Sequence, residues 1–417
     1  MNNVIHSIIA AQARQEFSRA MRFEGGGVPH VSPPEDQRPR LLYIHIPFCE
    51  RLCPYCSFNR FVFEENLCRE YFRALRKELL LYRDLGYDFG GIYIGGGTPT
   101  VLIDELTETI ALARASFHIR ELSVETNPNH LTNALLSALQ QAGVNRLSVG
   151  VQSFDDSLLK KMDRYDKYGS GAEILGRIGN ALGRFETLNA DMIFNFPTQT
   201  EAMLDYDLDM LLKIGVDQVT WYPLMVSDST RKKVMETLGR VDNRQEERFY
   251  HQIVGRLVPT YRFSSAWCFS RRKAMIDEYI VDYDEYAGLG SGSIGYLNGV
   301  CYANSFDIRT YITQIDRGEL PLAASRIFST RDRLRYDFLM KLFGTRLNVT
   351  DLRKKYGGDF FRLLPDLLAF SLTGSLAWQS PEIVLTKRGR YAWVILMREF
   401  FTAVNNFRDY CRGRVAP

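Results

Sequence analysis

The sequence lacks the long apolar segments of a membrane protein. None of its 417 residues belongs to a run that approaches the roughly 18 consecutive apolar residues of a membrane-spanning helix. The N-terminal segment has neither an uninterrupted apolar core nor a small-residue cleavage site, so we expect no secretory signal. Together these absences predict a cytoplasmic protein.

An excess of charge of one sign is also missing. Lysine and arginine number 52 and aspartate and glutamate 49, which leaves a net charge of +3. Proteins that bind nucleic acids usually carry a large excess of positive charge. Because this chain does not, we expect no nucleic-acid partner. The chain is long enough to bury a large core, and its length predicts one catalytic domain with smaller modules.

Cysteine is scarce and unevenly placed. There are seven cysteines, and three of them fall within eight residues, in "YIHIPFCERLCPYCSF". An odd number with such crowding argues against a disulfide framework and predicts reduced thiols.

Apolar runs typical of strands alternate with helical patterns over the first half of the chain. In the helical segments, such as "CREYFRALRKELLLY", apolar residues return every three or four positions. This alternation predicts six βα units and a parallel sheet, either an open doubly wound sheet or a barrel. Both place active sites at the carboxyl ends of the strands. The predicted strands cover residues 41–47, 91–97, 122–128, 146–154, 188–197 and 218–226.

The remaining chain divides by composition. Residues 1–40 combine an amphipathic helix with a Gly/Pro-rich linker, and residues 41–230 hold the βα units. Residues 231–330 include the glycine-rich "YAGLGSGSIGYLNG" and many aromatics, which predicts an extension of the sheet that covers its open end. Residues 331–417 predict a small, mostly helical domain.

The crowded cysteines predict an iron–sulfur cluster. Thiolates are the usual cluster ligands, and Cys49, Cys53 and Cys56 supply three, which leaves one iron open. No other cysteine follows before Cys68, and Phe58 stands where a close one would lie. A structural zinc site is the alternative, but zinc takes four ligands and no second pair completes such a set.

The CxxxCxxC motif, with Tyr55 before its last cysteine, resembles the signature of radical S-adenosylmethionine (SAM) enzymes. Over residues 41–229 the chain is most similar to the HemN-like group, which includes anaerobic coproporphyrinogen III oxidase, HemW-type proteins and class C methyltransferases. The resemblance implies an α/β fold, a partial (β/α)6 barrel with an N-terminal helical extension and a small helical C-terminal domain. It also implies a [4Fe-4S] cluster on the three cysteines, SAM on its open iron, and an electron donor such as flavodoxin or ferredoxin.

Further motifs carry the resemblance beyond the cysteines. Residues similar to those that hold the first SAM, including the "GGTP" element, are Tyr43, Tyr55, Gly96, Gly97, Thr98 and Glu125. Residues similar to those around a second SAM are Gln152, Arg164 and Asp191. The resemblance therefore implies that two SAM molecules bind.

Within the group, the sequence favours one activity and leaves others open. Phe58 stands where the oxidase has a further cysteine, and the combined motifs are similar to class C methyltransferases. We therefore expect methylation of an sp² carbon of a planar aromatic acceptor, menaquinone at C-8. An oxidase-like or haem-directed enzyme acting on a tetrapyrrole, and a HemW-type haem-binding protein, are the alternatives. Candidates for the base that removes the final proton are Cys268, Tyr222 and Glu278.

A lipid quinone acceptor would require peripheral contact with a membrane. Two segments have suitable patterns: the N-terminal helix with Arg14, Arg19 and Arg22, and "REFFTAVNNFRDYCRGR", in which apolar residues recur at helical spacing beside arginines. A helix packed against its own domain explains the second pattern equally well.

Overall fold

The structure is a computed structural model, and it describes residues 2–23, 30–273 and 280–415. Its strands, in chain order, are β1 (Arg40–Ile46), β2 (Phe48–Cys49), β3 (Phe61–Val62), β4 (Phe89–Gly96), β5 (Glu121–Thr126), β6 (Arg146–Gln152), β7 (Thr187–Phe194), β8 (Gln218–Pro223), β9 (Arg262–Phe263), β10 (Cys268–Ser270), β11 (Tyr286–Leu289), β12 (Ile294–Leu297), β13 (Val300–Asn304), β14 (Leu322–Ile327), β15 (Arg346–Asn348), β16 (Leu376–Gln379) and β17 (Glu382–Leu385).

The α-helices surround these strands. They are α1 (Asn2–Ala20), α2 (Glu65–Asp84), α3 (Ile103–Ser116), α4 (Asn133–Gln141), α5 (Asp156–Lys161), α6 (Tyr165–Tyr168), α7 (Gly171–Ala181), α8 (Glu201–Ile214), α9 (Asp228–Thr237), α10 (Asn243–Leu257), α11 (Ile308–Asp316), α12 (Thr330–Phe343), α13 (Val349–Tyr356), α14 (Leu364–Leu372) and α15 (Lys387–Val415). Short 3₁₀ turns occupy Pro99–Val101, Pro128–His130 and Gly357–Leu363.

Six parallel strands form the centre of the molecule. They lie side by side in the order β1, β4, β5, β6, β7, β8, which is also their order along the chain. Each corresponds to one of the six predicted strands, and helices connect them. The predicted α/β fold is therefore confirmed.

Residues beyond β8 extend this sheet at both edges. On one edge β11 pairs parallel with β1, and β12, β13 and β14 continue the sheet antiparallel. On the other edge β10 pairs antiparallel with β8, and β9 with β10. Most of the glycine-rich segment is therefore strand. Gly290 and Gly292 form its turn with φ of 94° and 79°, a conformation that favours glycine.

Continuous burial explains why the central strands read as apolar runs. All seven residues of β1 are buried, because the sheet is covered on one face by helices and packs on the other into the interior. Helix α2 shows the complementary pattern. Glu64 caps its first turn by accepting from the backbone N–H groups of Asn66 and Leu67, and its buried face carries Tyr71, Leu75 and Tyr82 among others.

The two ends of the described chain pack on each other. Arg14 of α1 donates to Glu399 of α15 at 2.9 Å, and Phe17 meets Phe400 edge to ring with centroids 5.5 Å apart. The apolar side of α15 lies inside the molecule, with Val404 and Phe407 only 7% and 4% exposed. The expectation that this face contacts a membrane is corrected, because protein atoms already cover it. No described helix is both long and apolar enough to cross a bilayer.

Candidate functional site

One large cavity opens at the carboxyl ends of the parallel strands. Its volume is about 620 Å³, and strands, the cysteine loop, α1, α12 and α15 all contribute to its wall. Twelve of the residues singled out in the sequence line it, namely Tyr43, Cys49, Cys53, Tyr55, Cys56, Gly96, Gly97, Glu125, Gln152, Arg164, Asp191 and Tyr222. The fold thus brings together residues that are up to 179 positions apart in the chain.

The cysteine loop leaves β2 and returns at β3. Backbone bonds from Phe61 N to Pro47 O at 2.7 Å and from Phe63 N to Cys49 O at 2.9 Å close its base. Inside the loop, Arg60 Nη2 donates to the carbonyl oxygens of Cys53 and Cys56 at 3.1 and 2.6 Å. All three cysteines are free thiols, and burial raises the pKa of Cys49 to about 11. The loop is therefore held by backbone and arginine contacts that leave its thiols available.

The surroundings of the thiols fit an anionic cluster. Arg164 Nη1 lies 3.7 Å from Cys53 Sγ, and the thiolate charges in turn raise the pKa of Arg60, although burial opposes this most strongly. Among the described side chains, the buried Nε atoms of Arg60 and Arg164 have no hydrogen-bond partner. Cationic donors beside thiolates stabilise the deprotonated form that binds metal. Three thiols with these neighbours fit a [4Fe-4S] cluster.

A single metal ion does not fit the same residues. In the described parts of the chain, no three His, Cys, Asp or Glu side chains are grouped around a position for one ion. The three thiols therefore do not converge on one centre, as the ligands of a structural zinc site must. The arrangement favours a cluster over the zinc alternative.

The glycines at the end of β4 and directly after it are required by close approach. A Cβ on Gly97 would lie 2.5 Å from the carbonyl oxygen of Phe48, and a Cβ on Gly95 would lie 2.6 Å from Glu125 Oε1. Gly96 has φ of 115°, which side-chain-bearing residues rarely adopt. These glycines let β4 pass against the cysteine loop and leave room for the Glu125 carboxylate.

Thr98 lies behind the cavity wall. It is fully buried, and its hydroxyl donates toward Cys49 Sγ at 3.8 Å and accepts from Asn127 Nδ2 at 2.8 Å. Its backbone N–H donates to Phe48 O at 2.7 Å. These contacts make Thr98 a support for the cysteine loop. Its predicted contact with SAM stays a prediction.

Two carboxylates reach the cavity from different strands. Glu125 accepts from Tyr93 OH at 2.8 Å and from the N–H of Gly96 at 3.1 Å. Asp191 accepts from Ser148 Oγ and Asn189 Nδ2, each at 2.8 Å. A carboxylate can accept from the ammonium or ribose donors of a ligand. Neighbouring side chains fix their orientation, as a binding site needs.

Gln152 and Arg164 complete this side of the cavity. Gln152 ends β6 with φ of 74°, a strained conformation for a residue with a side chain and one that is typical of functional sites. The guanidinium of Arg164 is buried, donates to the carbonyl of Gly150 and lies 4.1 Å from the ring centre of Tyr168. The structure thus places Arg164 against Cys53 and β6. Its predicted role at a second SAM stays a prediction.

The three candidate bases fall in different places. Tyr222 lines the cavity, with its ring 5.6 Å from that of Trp267. Cys268 is fully buried outside the cavity wall, with its Sγ 3.7 Å from Thr220 Oγ1. That burial argues against Cys268 as a base, because an acceptor in the cavity does not reach it. Glu278 lies outside the described residues.

Sequence reasoning missed most of the aromatic wall on the far side of the cavity. The wall draws on helices from both ends of the chain and on the second sheet edge, and its large apolar members include Phe17, Met21, Tyr286, Tyr296, Phe328, Tyr336, Phe400 and Phe401. The two tyrosines that flank "AGLGSGSIG" were the feature of the sequence from which this wall could have been predicted. Such a wall suits a flat, largely apolar ligand.

Arginines in this part of the wall already have partners. Arg335 forms a two-point bond with Asp366 at 3.1 and 3.2 Å, and Arg326 donates to the carbonyl oxygens of Arg19 and Ala20, the latter at 2.7 Å. Of these two arginines, Arg335 is compensated by a carboxylate and Arg326 is held by backbone carbonyl groups.

Comparisons with known proteins agree with this geometry. Residues 43–211 match the model of the Radical SAM superfamily. The heme chaperone HemW of Bacillus subtilis is 29% identical over 84% of this chain and 95% of its own length. The oxygen-independent coproporphyrinogen III oxidase of Helicobacter pylori strain 26695 is 27% identical over 84% of this chain and 83% of its own length.

A solved structure extends the similarity to the fold. Coproporphyrinogen III oxidase (HemN) from Escherichia coli, described as a radical SAM enzyme, superposes with a TM-score of 0.74 at 22% identity. The superposition covers 92% of this chain and 93% of that chain, so it includes the sheet extensions and the C-terminal helices. Residues 43–211 thus resemble the Radical SAM superfamily, and the chain as a whole has a mixed α/β fold like that of HemN.

Proposed function

We propose that this protein is a radical SAM enzyme that acts on a tetrapyrrole bound in the 620 Å³ cavity. One observation carries the proposal: the three free cysteines and the carboxylates of Glu125 and Asp191 open into the same aromatic-walled cavity. Relatives named for heme and for coproporphyrinogen support a tetrapyrrole as the ligand. The catalytic unit is residues 41–230, with residues 231–330 and 331–417 covering it.

Different residues of the cavity wall have different roles in this proposal. Cys49, Cys53 and Cys56 hold the cluster, and Glu125 accepts from donors of the SAM beside it. A reduced [4Fe-4S] cluster held by these thiols would supply the electron for the reductive cleavage of SAM. The aromatic wall holds the acceptor and excludes water from the radical. A flavodoxin or ferredoxin delivers the electron.

The second candidate is methyl transfer from a second SAM to a planar quinone. Two observations favour it: Gln152, Arg164 and Asp191 lie on the cavity beside the first-SAM residues, and Arg335 of the far wall is already paired with Asp366. A neutral, apolar acceptor fits such a wall better than a ligand with several carboxylates, since each carboxylate would need an unpaired cation. Tyr222 is the described base candidate that lines the cavity.

Methyl-deuterated SAM distinguishes the two candidates. The anaerobically reconstituted protein is incubated with a reductant and either a porphyrinogen or a menaquinone, and products are analysed by mass spectrometry. Tetrapyrrole chemistry by hydrogen abstraction from the substrate gives unlabelled 5′-deoxyadenosine and a product without an added methyl group. Methyl transfer from a second SAM instead places deuterium in both 5′-deoxyadenosine and the acceptor.

A haem-binding role without turnover is tested in parallel. Titration with haem should give a saturable absorbance change in a HemW-type protein, together with little 5′-deoxyadenosine. Tight haem binding combined with slow SAM cleavage in the presence of every acceptor would overturn both enzymatic candidates. Rapid cleavage that depends on one acceptor would support the corresponding enzyme.

A further inference from the structure

The C-terminal part of the chain exposes a row of large apolar side chains. Phe361 is 59% exposed, and on α14 Leu364, Leu368 and Leu372 are 48%, 61% and 79% exposed. The three leucines recur every four residues, so they share one helix face. Trp378 of β16 is 58% exposed. We call these five side chains the apolar stripe.

The opposite side of α14 already supplies its contact with the core. Leu363 and Leu367 are 0% and 2% exposed, and the ring of Phe370 lies 4.9 Å from that of Trp393. The helix therefore does not need the stripe in order to pack. Large exposed apolar side chains on a helix and on the elements that contact it are typical of interaction sites.

Positive charge is concentrated in the same part of the chain. Residues 346–390 contain eight basic and four acidic residues, a net charge of +4, whereas the whole chain carries +3. Arg353, Lys354, Arg362 and Lys387 are exposed. Asp366, the acidic residue within α14, is bound by Arg335. Basic side chains thus lie close to the stripe in sequence, although Arg362 is paired with Asp359, and the carboxylate of α14 is bound by an arginine.

We propose that the apolar stripe docks the protein on an anionic lipid surface. Leucine, phenylalanine and tryptophan beside exposed lysine and arginine match the composition of interfacial helices, whose apolar side enters the boundary between headgroups and acyl chains. Anionic headgroups attract the accompanying basic residues. With nine residues, α14 is about 14 Å long, so it lies along the surface and does not cross it.

A salt bridge links the helix that carries the apolar stripe to the wall of the cavity. Asp366 of α14 accepts from Arg335 at 3.1 and 3.2 Å, and Arg335 is itself part of the cavity wall. Docking of α14 therefore holds the wall of the cavity close to the lipid surface, where an apolar acceptor is delivered without crossing water. This consequence rests on the second candidate function, with its apolar quinone acceptor, whereas the docking itself does not.

Flotation with vesicles tests the docking. Full-length reconstituted protein is mixed at low salt with vesicles of phosphatidylcholine alone or with phosphatidylglycerol added. Wild type should float with the anionic vesicles. Leu368→Glu/Leu372→Glu should reduce binding by more than about tenfold, since apolar area is lost and negative charge is added. Arg353→Gln and Lys354→Gln should each weaken it about fivefold.

Ile327→Glu is the matched control, because Ile327 is 81% exposed on β14, outside the stripe. It should float as wild type does, and circular dichroism confirms that all variants are folded. Absence of flotation at low salt, or equal flotation of the stripe double variant, would overturn the proposal. So would a dimer of the wild type that the double variant converts to monomer, since the stripe would then bind a second copy. SAM cleavage in detergent, measured on the same variants, should not change.

Discussion

The chemistry of the site depends first on three individual thiols. Replacing Cys53 by alanine should abolish both the cluster absorbance and reductive SAM cleavage, because a cluster with two protein ligands is not retained. Iron content and 5′-deoxyadenosine formation after anaerobic reconstitution measure both effects. Cys68→Ala is the control, since Cys68 is also a free cysteine but lies on α2. Full iron content in Cys53→Ala would contradict the assignment.

Asp207 gives the protein a measurable pH dependence of stability. It accepts from Ser153 Oγ and from the N–H of Phe154 at 2.6 Å, and burial raises its pKa to about 7. In the unfolded chain the pKa of an aspartate is about 3.9. At a pH between the unfolded and the folded pKa, the folded protein therefore holds a proton that the unfolded chain has lost. Its contribution to stability therefore falls as the pH rises from about 4 to about 7, by up to about 1.4 kcal/mol per pH unit.

Asp207→Asn removes this proton uptake. Relative to wild type, the variant should therefore gain stability as the pH rises through that window, and urea unfolding at both ends of the window measures the difference. Burial also raises the pKa of Glu78 to about 7. Because both proteins contain Glu78, its contribution to the pH dependence of stability cancels in the comparison. Parallel pH profiles would show that Asp207 is ionised in the folded state.

The position of a single residue could be predicted from the sequence when it depended on the strand that contains or precedes that residue. It could not be predicted when it depended on contacts with distant parts of the chain. The cysteines follow a predicted strand, and Tyr43, Glu125 and Asp191 lie within predicted strands. Neighbouring parallel strands bring such residues to one cavity at the sheet's carboxyl side. Cys268 could not be placed in this way, because its depth depends on antiparallel pairing with β8, which sequence periodicity does not reveal. The contact of Arg164 with Cys53 Sγ likewise spans 111 positions of the chain.

At the scale of elements, the junction of β4 with the cysteine loop tolerates no added atoms. In Gly97→Ala the new Cβ would meet the carbonyls of Phe48 and Ile46 at 2.5 and 2.9 Å, so the loop must shift. We expect Gly97→Ala to fold but to incorporate little iron and to lose SAM cleavage. Gly176→Ala is the control, because a Cβ there meets nothing within 4 Å and should stabilise α7 by about 1 kcal/mol. Equal iron content in both variants would refute the expectation.

The elements themselves were predictable to different degrees. The six parallel strands were evident because burial on both faces leaves near-continuous apolar runs in the sequence. Helix α15 was equally evident as a helix, but its periodic apolar face was ambiguous. Val404, Phe407 and Cys411 pack within the molecule, and a face buried by protein has the same spacing as one buried by lipid.

For the whole molecule, closure of the cavity depends on the contact between the chain's two ends. Phe17 of α1 and Met21, which follows the helix, line the cavity, and the Arg14–Glu399 ion pair joins α1 to α15. Neither end closes the cavity alone. Distant parts of the chain must therefore dock before an acceptor is shielded from water.

Removal of residues 1–22 should open this wall while leaving the cysteine loop and the parallel strands in place. The truncated protein should bind its cluster and cleave SAM, but the radical should escape to solvent, so that more 5′-deoxyadenosine forms per product molecule than in wild type. The control is Arg14→Gln, which weakens the ion pair and keeps the apolar wall. Because Arg14 is 54% exposed, the ion pair contributes at most about 1 kcal/mol. The coupling of SAM cleavage to product formation, measured as 5′-deoxyadenosine per product molecule, should therefore stay near the wild-type value in Arg14→Gln. Unchanged coupling in the truncated protein would show that α15 and the sheet edge suffice to enclose the acceptor.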